Sequence, residues 1–324
     1  MPGYVLGVDG GQTSTTAAVC DLTGSLVGVG RGGPANHAWE PGGIARARRA
    51  VTTSTAAALR AAGLKRVTFE AAFLAMPGPA HERKLRAVRG CVDAKRFRMD
   101  NDKVNALASV TAGKPGVVVV AGTGTIAYAE NARGQRADAS GWGYLLGDEG
   151  GGFWIARQAV GAACRHWDSR GDPTALTEKL LARLGIEDLW DLYFLVYSEK
   201  LSRAQIASLA AVVPEAAAEG DALARRILRE AGRELGLAAG TVARRLRMHR
   251  GAVTVGMVGG VFRGSEGVRR SFRREVRRHA PKAVFVEPRF APAIGSVLLA
   301  LKLTRTRLTR AVLSNLEAAS AEAG

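Results

Sequence analysis

One pattern occurs twice in this chain: a short apolar strand, a turn rich in glycine and threonine, and a second strand. Residues 4–8 lead into DGGQTST and a strand at 15–20, and residues 116–121 lead into GTGT and a strand at 126–130. Each turn is predicted to join two strands of a hairpin, whereas the phosphate loops GxxxxGK[ST] and GxGxxG open helices. The pattern therefore disfavours a Walker or Rossmann nucleotide site.

The rest of the chain alternates between the two periodicities of helix and strand. Further strands are predicted at 26–30, 70–75, 96–99, 253–258 and 283–287, and helices at 43–62, 104–111, across most of 151–247, and at 293–303. Strands and helices that alternate in this way indicate an α/β protein. The repeated hairpin suggests two related halves.

The formal charge of +17, from 46 basic and 29 acidic residues, is the one unusual total of the composition. Such a charge could indicate a polyanionic partner. Only nine of the basic residues are lysine, and alanine is abundant. We therefore attribute the excess of basic residues to a compositional bias of the whole chain. The densest basic run, 263–278, also fits the solvated face of a helix whose buried stripe is Val268, Phe272 and Val276. Nucleic acid is therefore not an expected partner.

Several classes of protein are excluded by what the sequence lacks. No window of eighteen residues is apolar without a charge, so no membrane association is expected, and the first residues have no signal-peptide pattern, so we expect a cytoplasmic protein. Cys20, Cys91 and Cys164 lie far apart and form no metal knuckle, which predicts three buried thiols. The five histidines have no HxH, HxxH or HExxH spacing, so a structural zinc site is not expected.

The two glycine turns have the chemistry of an anion site. In DGGQT, backbone N–H groups and the Thr13 hydroxyl can converge on an anion, and Asp9 at the end of the strand could hold a hydrated magnesium ion. The alternative is an ordinary glycine hairpin. Because AGTGT repeats the design, the two turns together suggest two sides of one polyphosphate site.

Two other segments place carboxylates at predicted helix starts. DND follows a strand and precedes a helix, so Asp100 or Asp102 is either an N-cap or a general base. In GWGYLLGDEGGG, six glycines surround Asp148 and Glu149. Glycines at this density make a poor core and a poor helix, so the segment is predicted to be a binding loop.

GPANHAW adds an amide and an aromatic ring after the third strand. Asn36 and Trp39 suit a sugar, whose hydroxyls need paired hydrogen bonds and whose C–H face packs on rings. A turn with a buried tryptophan explains the same residues.

Taken together these motifs resemble the N-acetylglucosamine kinase branch and the BadF/BadG/BcrA/BcrD ATPase family, within the superfamily of hexokinase and actin. The resemblance runs in family order through GVDGGQT, GPANH, DND, AGTGT, GWGYLLGDEGGG, PEAAAEGD, VGGVF and APAIGSVLLAL, and so covers nearly the whole chain. It implies two ribonuclease-H-like, actin-like ATPase domains with a cleft between them. The expected domains are 1–112, completed by 292–324, and 113–291.

The resemblance also implies a role for particular residues. It implies catalysis by Asp102 as the base, and Mg²⁺ held at Asp9 through water. The implied ATP and phosphate contacts are Gly10, Gly11, Thr13, Gly122, Thr123, Gly124, Ala217, Gly259 and Gly260. The implied sugar contacts are Asn36, Asp102, Gly141, Trp142, Gly143 and Asp148.

The implied activity is an ATP-dependent kinase that phosphorylates the 6-hydroxyl of N-acetylglucosamine or a close amino sugar, with ATP and Mg²⁺ as cofactors and a homodimer as the expected assembly. Gln12, Met76–Pro77 and Gly152 depart from the family pattern, which bears mainly on the identity of the sugar.

The alternatives are a glucosamine kinase, an ATPase activator of the BadF/BcrA type, and a non-enzymatic sugar-responsive or nucleic-acid-binding protein. An activator needs cysteines for an iron–sulfur cluster, and the scattered cysteines argue against it.

Overall fold

A computed structural model describes residues 3–35, 40–78 and 82–323. Within them the chain forms ten strands, arranged as two five-stranded sheets. The strands are β1 (Tyr4–Gly10), β2 (Thr15–Asp21), β3 (Leu26–Gly32), β4 (Phe69–Met76), β5 (Ala94–Asn101), β6 (Gly116–Ala121), β7 (Thr125–Glu130), β8 (Arg136–Ala139), β9 (Val253–Val258) and β10 (Ala283–Val286).

Thirteen α-helices lie within the described ranges. They are α1 (Gly43–Ala61), α2 (Glu82–Arg89), α3 (Asp102–Thr111), α4 (Gly152–Trp167), α5 (Leu176–Leu184), α6 (Leu189–Tyr197), α7 (Arg203–Ser208), α8 (Val212–Ala218), α9 (Ala222–Arg245), α10 (Gly260–Gly264), α11 (Glu266–His279), α12 (Pro292–Leu303) and α13 (Arg310–Ala323). None of them is both long enough and apolar enough to cross a membrane.

The two sheets have the same topology. The first, read from β3, has the order β3-β2-β1-β4-β5. The second, read from β8, has the order β8-β7-β6-β9-β10, so that corresponding strands take corresponding places. In each, the first three strands form an antiparallel meander and the last two are added in parallel. Parallel additions need helical crossovers, which is why helices separate these strands in the sequence. The predicted α/β class with two related halves is confirmed.

The chain divides into two compact units, residues 1–114 with 287–324 and residues 115–286. In the first unit, α1 packs on β2 and β3, and α12 packs on β1 and β4. The contact of α12 with β1 includes a hydrogen bond from Ser296 Oγ to the Val8 carbonyl at 2.9 Å. Small residues in α12 allow this close approach, so the C-terminal segment completes the core around the first sheet.

In the second unit, α9 packs on α11 and on the second sheet. Val268, Phe272 and Val276 of α11 are at most 1% exposed, which confirms the predicted buried stripe of the basic helix. Val117, Val119 and Ala121 of β6 are fully buried, as expected for a strand with an unbroken β-branched run.

Three local predictions were wrong. Cys20 is buried, but Cys91 and Cys164 are only half-buried, because both lie near the ends of helices. The short strand β8 was missed, since its sequence RADA alternates too weakly to signal a strand. Ser265, whose side chain accepts from the Val268 N–H, begins a new helix, so the basic run does not form one helix from residue 263.

Candidate active site

The first glycine hairpin joins β1 and β2 in the first unit. Gly10 pairs with Thr15, and the Gly11 N–H donates to the Ser14 carbonyl at 2.8 Å, which closes a tight turn. Thr13 at the tip of this turn is exposed. The predicted phosphate turn therefore forms as a hairpin with its threonine accessible.

Asp9 lies on β1 immediately before this turn. Its Oδ1 accepts a hydrogen bond from Asn105 Nδ2 at 2.8 Å, and the same amide donates to the Pro292 carbonyl at 3.1 Å. Burial raises the pKa of Asp9 to about 6; the Asn105 bond opposes this rise and the charge of Asp102 adds to it. A carboxylate is the kind of group that holds hydrated Mg²⁺, so the residue type suits the Mg²⁺ site at Asp9, which stays a prediction.

The DND segment is the junction between β5 and α3. Asn101 is the N-cap of α3, because its side chain accepts from the Lys103 N–H at 3.1 Å and its Nδ2 donates to the Gly78 carbonyl at 2.8 Å. Neither predicted carboxylate is therefore the cap. Asp100 lies on the strand and pairs with Arg98 at 3.0 Å, while Asp102 is the first residue of the helix.

Asp102 is the carboxylate whose charge acts on Asp9. Burial raises the pKa of Asp102, against the opposing effects of Lys84, of two backbone N–H groups and of Lys103. A carboxyl group with a raised pKa is a stronger base than an ordinary aspartate. Asp102 stays the predicted base, and Asp100 differs from it in being ion-paired with Arg98.

The sequence interpretation missed two residues of this cluster, Asn105 and Lys84. Asn105 is 1% exposed and lies one helical turn after Asp102, so its i, i+3 spacing from Asp102 was a usable signal. Lys84 is 2% exposed on α2. Nothing local distinguishes it from the arginines around it in ERKLRAVR.

The second glycine hairpin joins β6 and β7 in the second unit. Carbonyls of this turn accept the first N–H groups of α4: Gly152 N–H donates to Gly122 O at 2.7 Å, and Phe153 N–H to Thr123 O at 3.0 Å. The helix start is thus attached to the hairpin, with its positive dipole end directed at the turn. Gly152, one of the departures from the family pattern, makes one of these bonds.

Asp148 connects this hairpin to the glycine loop. Its carboxylate accepts backbone N–H groups of Thr125 and Gly143, and burial raises its pKa despite these bonds and the nearby Arg203. A Cβ atom at Gly124 would lie 2.3 Å from Asp148 Oδ2, so the close approach requires glycine there. Asp148 is 9% exposed. Its bonds to the backbone of Thr125 and Gly143 make it a link between two loops. Its role as a sugar contact stays a prediction.

The first half of the glycine loop, residues 141–146, is mostly exposed, whereas Gly150, Gly151 and Gly152 at its end are buried. Trp142 is 75% exposed, whereas Tyr144 packs edge-on against Phe153 with the ring centres 4.9 Å apart. Arg203 lies over the Tyr144 ring at 5.3 Å. Gly141 and Gly143 flank Trp142 at positive φ values of 80° and 86°. Of the predicted sugar contacts in this loop, Gly141 and Trp142 are therefore exposed, Gly143 is half-buried and Asp148 is buried.

The predicted adenosine residues lie in two places of the second unit. Gly259 is the N-cap of α10 at a φ of 109°, followed by Gly260, and a Cβ atom at Gly259 would lie 2.2 Å from the Ala121 carbonyl. The end of β9 thus touches the strand that leads into the second hairpin. Ala217 lies on α8, where its carbonyl accepts from Arg225 Nε at 3.0 Å.

Two predicted features need separate mention. Asn36, and with it most of the GPANHAW motif, lies outside the described residues. Met76, which departs from the family pattern, is 1% exposed in the core of the first unit. Its side chain is therefore part of that core.

Comparison with known proteins agrees with these motifs. The N-acetylmuramic acid/N-acetylglucosamine kinase of Clostridium acetobutylicum is 35% identical over 200 residues, a match that spans 62% of this chain and 65% of that protein. The N-acetyl-D-glucosamine kinase of Dictyostelium discoideum is 27% identical over 309 residues, 91% of this chain and 97% of that protein.

A solved structure from Chromobacterium violaceum, assigned provisionally as an N-acetylglucosamine kinase, has a TM-score of 0.75 and 28% identity, and the match covers 93% of this chain and 99% of that one. The model of the BadF/BadG/BcrA/BcrD ATPase family matches residues 6–300. That match covers most of the chain and confirms the resemblance predicted from the motifs: the chain belongs to the BadF/BadG/BcrA/BcrD ATPase family.

Proposed function

We propose that this protein is an ATP-dependent kinase that transfers the γ-phosphoryl group of ATP to the 6-hydroxyl of N-acetylglucosamine or a close amino sugar. The names of the Clostridium and Dictyostelium relatives support the amino sugar. Membership of an ATPase family supports the use of ATP.

The observation that carries the proposal is the position of the two Gly/Thr hairpins. Each connects the first two strands of a sheet, and the two sheets share one strand order. The hairpins therefore stand at equivalent places in the two units. In the proposal, each turn would offer backbone N–H groups and one threonine hydroxyl, that of Thr13 or of Thr123, to the phosphates of ATP.

In the proposed reaction Asp102 accepts the proton of the sugar 6-hydroxyl. The sugar oxygen forms a bond to the γ-phosphorus as the bond from that phosphorus to the β-γ bridging oxygen breaks, and ADP leaves. The chain binds and orients the phosphates at the two hairpins, so catalysis is mostly positioning and charge stabilisation. Asp9 would hold Mg²⁺ through water, and the ion would neutralise phosphate charge. Gly259, Gly260 and Ala217 would surround the adenosine.

The proposed sugar site uses Asn36 and the glycine loop with Gly141, Trp142, Gly143 and Asp148. The exposed Trp142 ring is suited to the C–H face of a sugar. Asp148 has accepting capacity beyond its two backbone bonds, because a carboxylate has about four lone-pair positions. One carboxylate would then contact both the phosphate hairpin and the sugar.

Three further properties stay predictions: the domain limits 1–112 with 292–324 and 113–291, the homodimer, and the cytoplasmic location. Each is measurable on the purified protein or in cells. None of them is needed for the proposed chemistry.

The deciding experiment is an ADP-release screen over N-acetylglucosamine, N-acetylmuramate, glucosamine, N-acetylmannosamine and glucose. We expect ATP turnover that depends on an N-acetylated amino sugar. The 6-deoxy analogue of that sugar should give no turnover. ³¹P NMR of the product should show the phosphate on O6. Turnover on no sugar contradicts the proposal. ATP hydrolysis that does not depend on sugar would favour an ATPase activator. Salt-dependent retention of DNA without ATP turnover would favour a nucleic-acid-binding protein.

A further inference from the structure

A stripe of exposed aromatic side chains lies on α6 in the second unit. Its four members are 46–74% exposed: Trp190, Tyr193, Phe194 and Tyr197. Their spacing of i, i+3, i+4 and i+7 places them on one face of the helix. A single exposed apolar side chain is ordinary, but a contiguous apolar face on a protein surface marks an interaction site. We call this face the aromatic stripe.

The aromatic stripe is not the face by which α6 joins the core. Leu189 and Leu192 are at most 8% exposed in the core of the second unit, and Val196 packs against the same core. The start of the helix is fixed by Asp188, whose carboxylate accepts the Trp190 N–H at 2.8 Å. The helix therefore has a second apolar face, for which the core of its own chain has no use.

The rings of the stripe are packed against one another. The ring centre of Tyr193 lies 5.7 Å from that of Trp190, 5.5 Å from that of Phe194 and 4.5 Å from that of Tyr197. Aromatic pairs at these distances are favourable. Side chains that already restrict one another lose little freedom when a partner covers them. The stripe is therefore a preorganised surface of the residue types that are enriched in protein interfaces.

The order of the stripe is symmetric about its midpoint. A two-fold axis that crosses α6 midway between Tyr193 and Phe194 would place these two residues opposite each other in two antiparallel copies of the helix. The same axis would place Trp190 opposite Tyr197. A two-fold interface needs a surface that is complementary to itself, and this spacing meets that condition.

Charges beside the stripe favour the same arrangement. The axis would bring Glu187, before the helix, level with Lys200, after it, and both residues are exposed. It would also bring Asp188 level with Glu199, but the Asp188 carboxylate is occupied as the cap of α6. A membrane surface is a poorer partner, because helices that bind membranes are rich in Lys and Arg, whereas Glu187, Asp188 and Asp191 lie at the start of α6.

The area of the stripe is sufficient for a weak dimer. Aromatic side chains can bury about 150–250 Å² each, so at exposures of 46–74% the four rings offer roughly 500 Å² on each copy. Two copies would bury about 1,000 Å², which is near the lower limit for a specific interface. An interface of this size predicts dissociation in the micromolar range.

We propose that the aromatic stripe of α6 is the contact surface between two copies of this chain, related by a two-fold axis between Tyr193 and Phe194. The proposal gives the predicted homodimer a location. It does not rest on the proposed kinase activity.

The first test replaces Phe194 by glutamate. Two carboxylates would then meet beside the axis, so the dissociation constant of the dimer should rise at least about thirtyfold, as for a central interface residue. Trp167→Glu is the matched control, because Trp167 is also an exposed aromatic residue of this unit, 49% exposed at the end of α4. It should keep the parent dissociation constant within twofold. Sedimentation equilibrium from about 1 µM to about 100 µM measures each constant.

The second test exchanges charges and leaves the rings unchanged. Glu187→Lys and Lys200→Glu would each bring like charges level with one another, so each should raise the dissociation constant about five- to tenfold at low salt. The double variant restores opposite charges and should return to within about twofold of the parent. This test remains informative if Phe194→Glu does not fold.

The outcomes separate this proposal from the kinase. A parent protein that is monomeric at about 100 µM overturns the dimer surface, and its sedimentation with vesicles of phosphatidylcholine and phosphatidylglycerol would assign the stripe to a membrane. A dimer that Phe194→Glu leaves intact, or a double variant that dissociates like the single ones, overturns the assigned axis. A dimer that Phe194→Glu dissociates, in a protein that phosphorylates no sugar, supports the surface and contradicts the kinase.

Discussion

Asp9 Oδ1 and Asn105 Nδ2 are 2.8 Å apart, although 96 positions separate the two residues in the sequence. The bond joins the end of β1 to α3, and the second hydrogen of the same amide joins α3 to the Pro292 carbonyl at 3.1 Å. One buried amide thus fixes the carboxylate proposed for magnesium relative to the helix that begins with the proposed base.

Replacement of Asn105 by alanine should destabilise the fold. It leaves the Asp9 carboxylate and the Pro292 carbonyl without their donor, and each unsatisfied buried acceptor costs about 1–3 kcal/mol. Urea unfolding measures the loss. Asn315→Ala is the control, because Asn315 also donates to a carbonyl, that of Thr23, but on the surface. Equal losses in both variants would contradict the role given to Asn105.

The raised pKa of Asp9 predicts the sign of a pH dependence. The folded protein keeps the Asp9 proton up to about pH 6, whereas the unfolded chain releases it near pH 3.8. Between these values the folded state binds more protons, so the free energy of unfolding falls as the pH rises. Asp9→Asn keeps the acceptor and removes the titration. Its unfolding free energy relative to the parent should rise by on the order of 1–3 kcal/mol from pH 4 to pH 7. A flat difference would show that Asp9 titrates normally.

Asp102→Asn should lower kcat by about 10²–10⁴-fold, the usual contribution of a positioned general base, and leave ATP and sugar binding nearly intact. Asp100→Asn is the matched control, since it is two residues away but lies on β5 in an ion pair with Arg98. Steady-state kinetics with calorimetric binding separates the two effects. If Asp100→Asn is the inactive variant, the base is misassigned.

Thr13→Val and Thr123→Val should each weaken ATP binding, because a lost hydroxyl leaves a phosphate oxygen unpaired at a cost of about 1–3 kcal/mol. Thr52→Val is a suitable control, since Thr52 is exposed on α1 and its hydroxyl donates to the Arg48 carbonyl of the same helix. Nucleotide titration calorimetry measures the effect. Unchanged affinity and turnover in both hairpin variants would refute the two-hairpin phosphate site.

Asn36→Ala and Asp148→Ala should both raise the KM for sugar more than the KM for ATP, by the equivalent of about 1–3 kcal/mol. The structure adds a difference between them. Asp148 holds the backbone N–H groups of Thr125 and Gly143, so its loss should also lower the thermal unfolding midpoint. If Asp148→Ala changed the KM for ATP alone, the glycine loop would be assigned to the nucleotide site.

Local features of the sequence were sufficient for the α/β class and for most strands and helices. An unbroken β-branched run such as Gly116–Ala121 specifies a buried strand, and a Gly/Thr turn after it specifies a hairpin, because both depend on neighbouring residues. The fourfold spacing of Val268, Phe272 and Val276 specified a buried helix face for the same reason.

What the tertiary structure decided depends on residues far apart in the sequence. That the Asn101 amide donates to the Gly78 carbonyl, that Asp148 binds the hairpin backbone, and that Asn105 donates to Asp9 all depend on which segments lie side by side in the fold. The sequence alone could identify Asp100 and Asp102 as candidates but not choose between them by geometry. Asp100 is ion-paired with Arg98 of its own strand, whereas the pKa of Asp102 is shifted by groups distant in the sequence, and a long-range electrostatic environment leaves no periodic trace in the segment that experiences it.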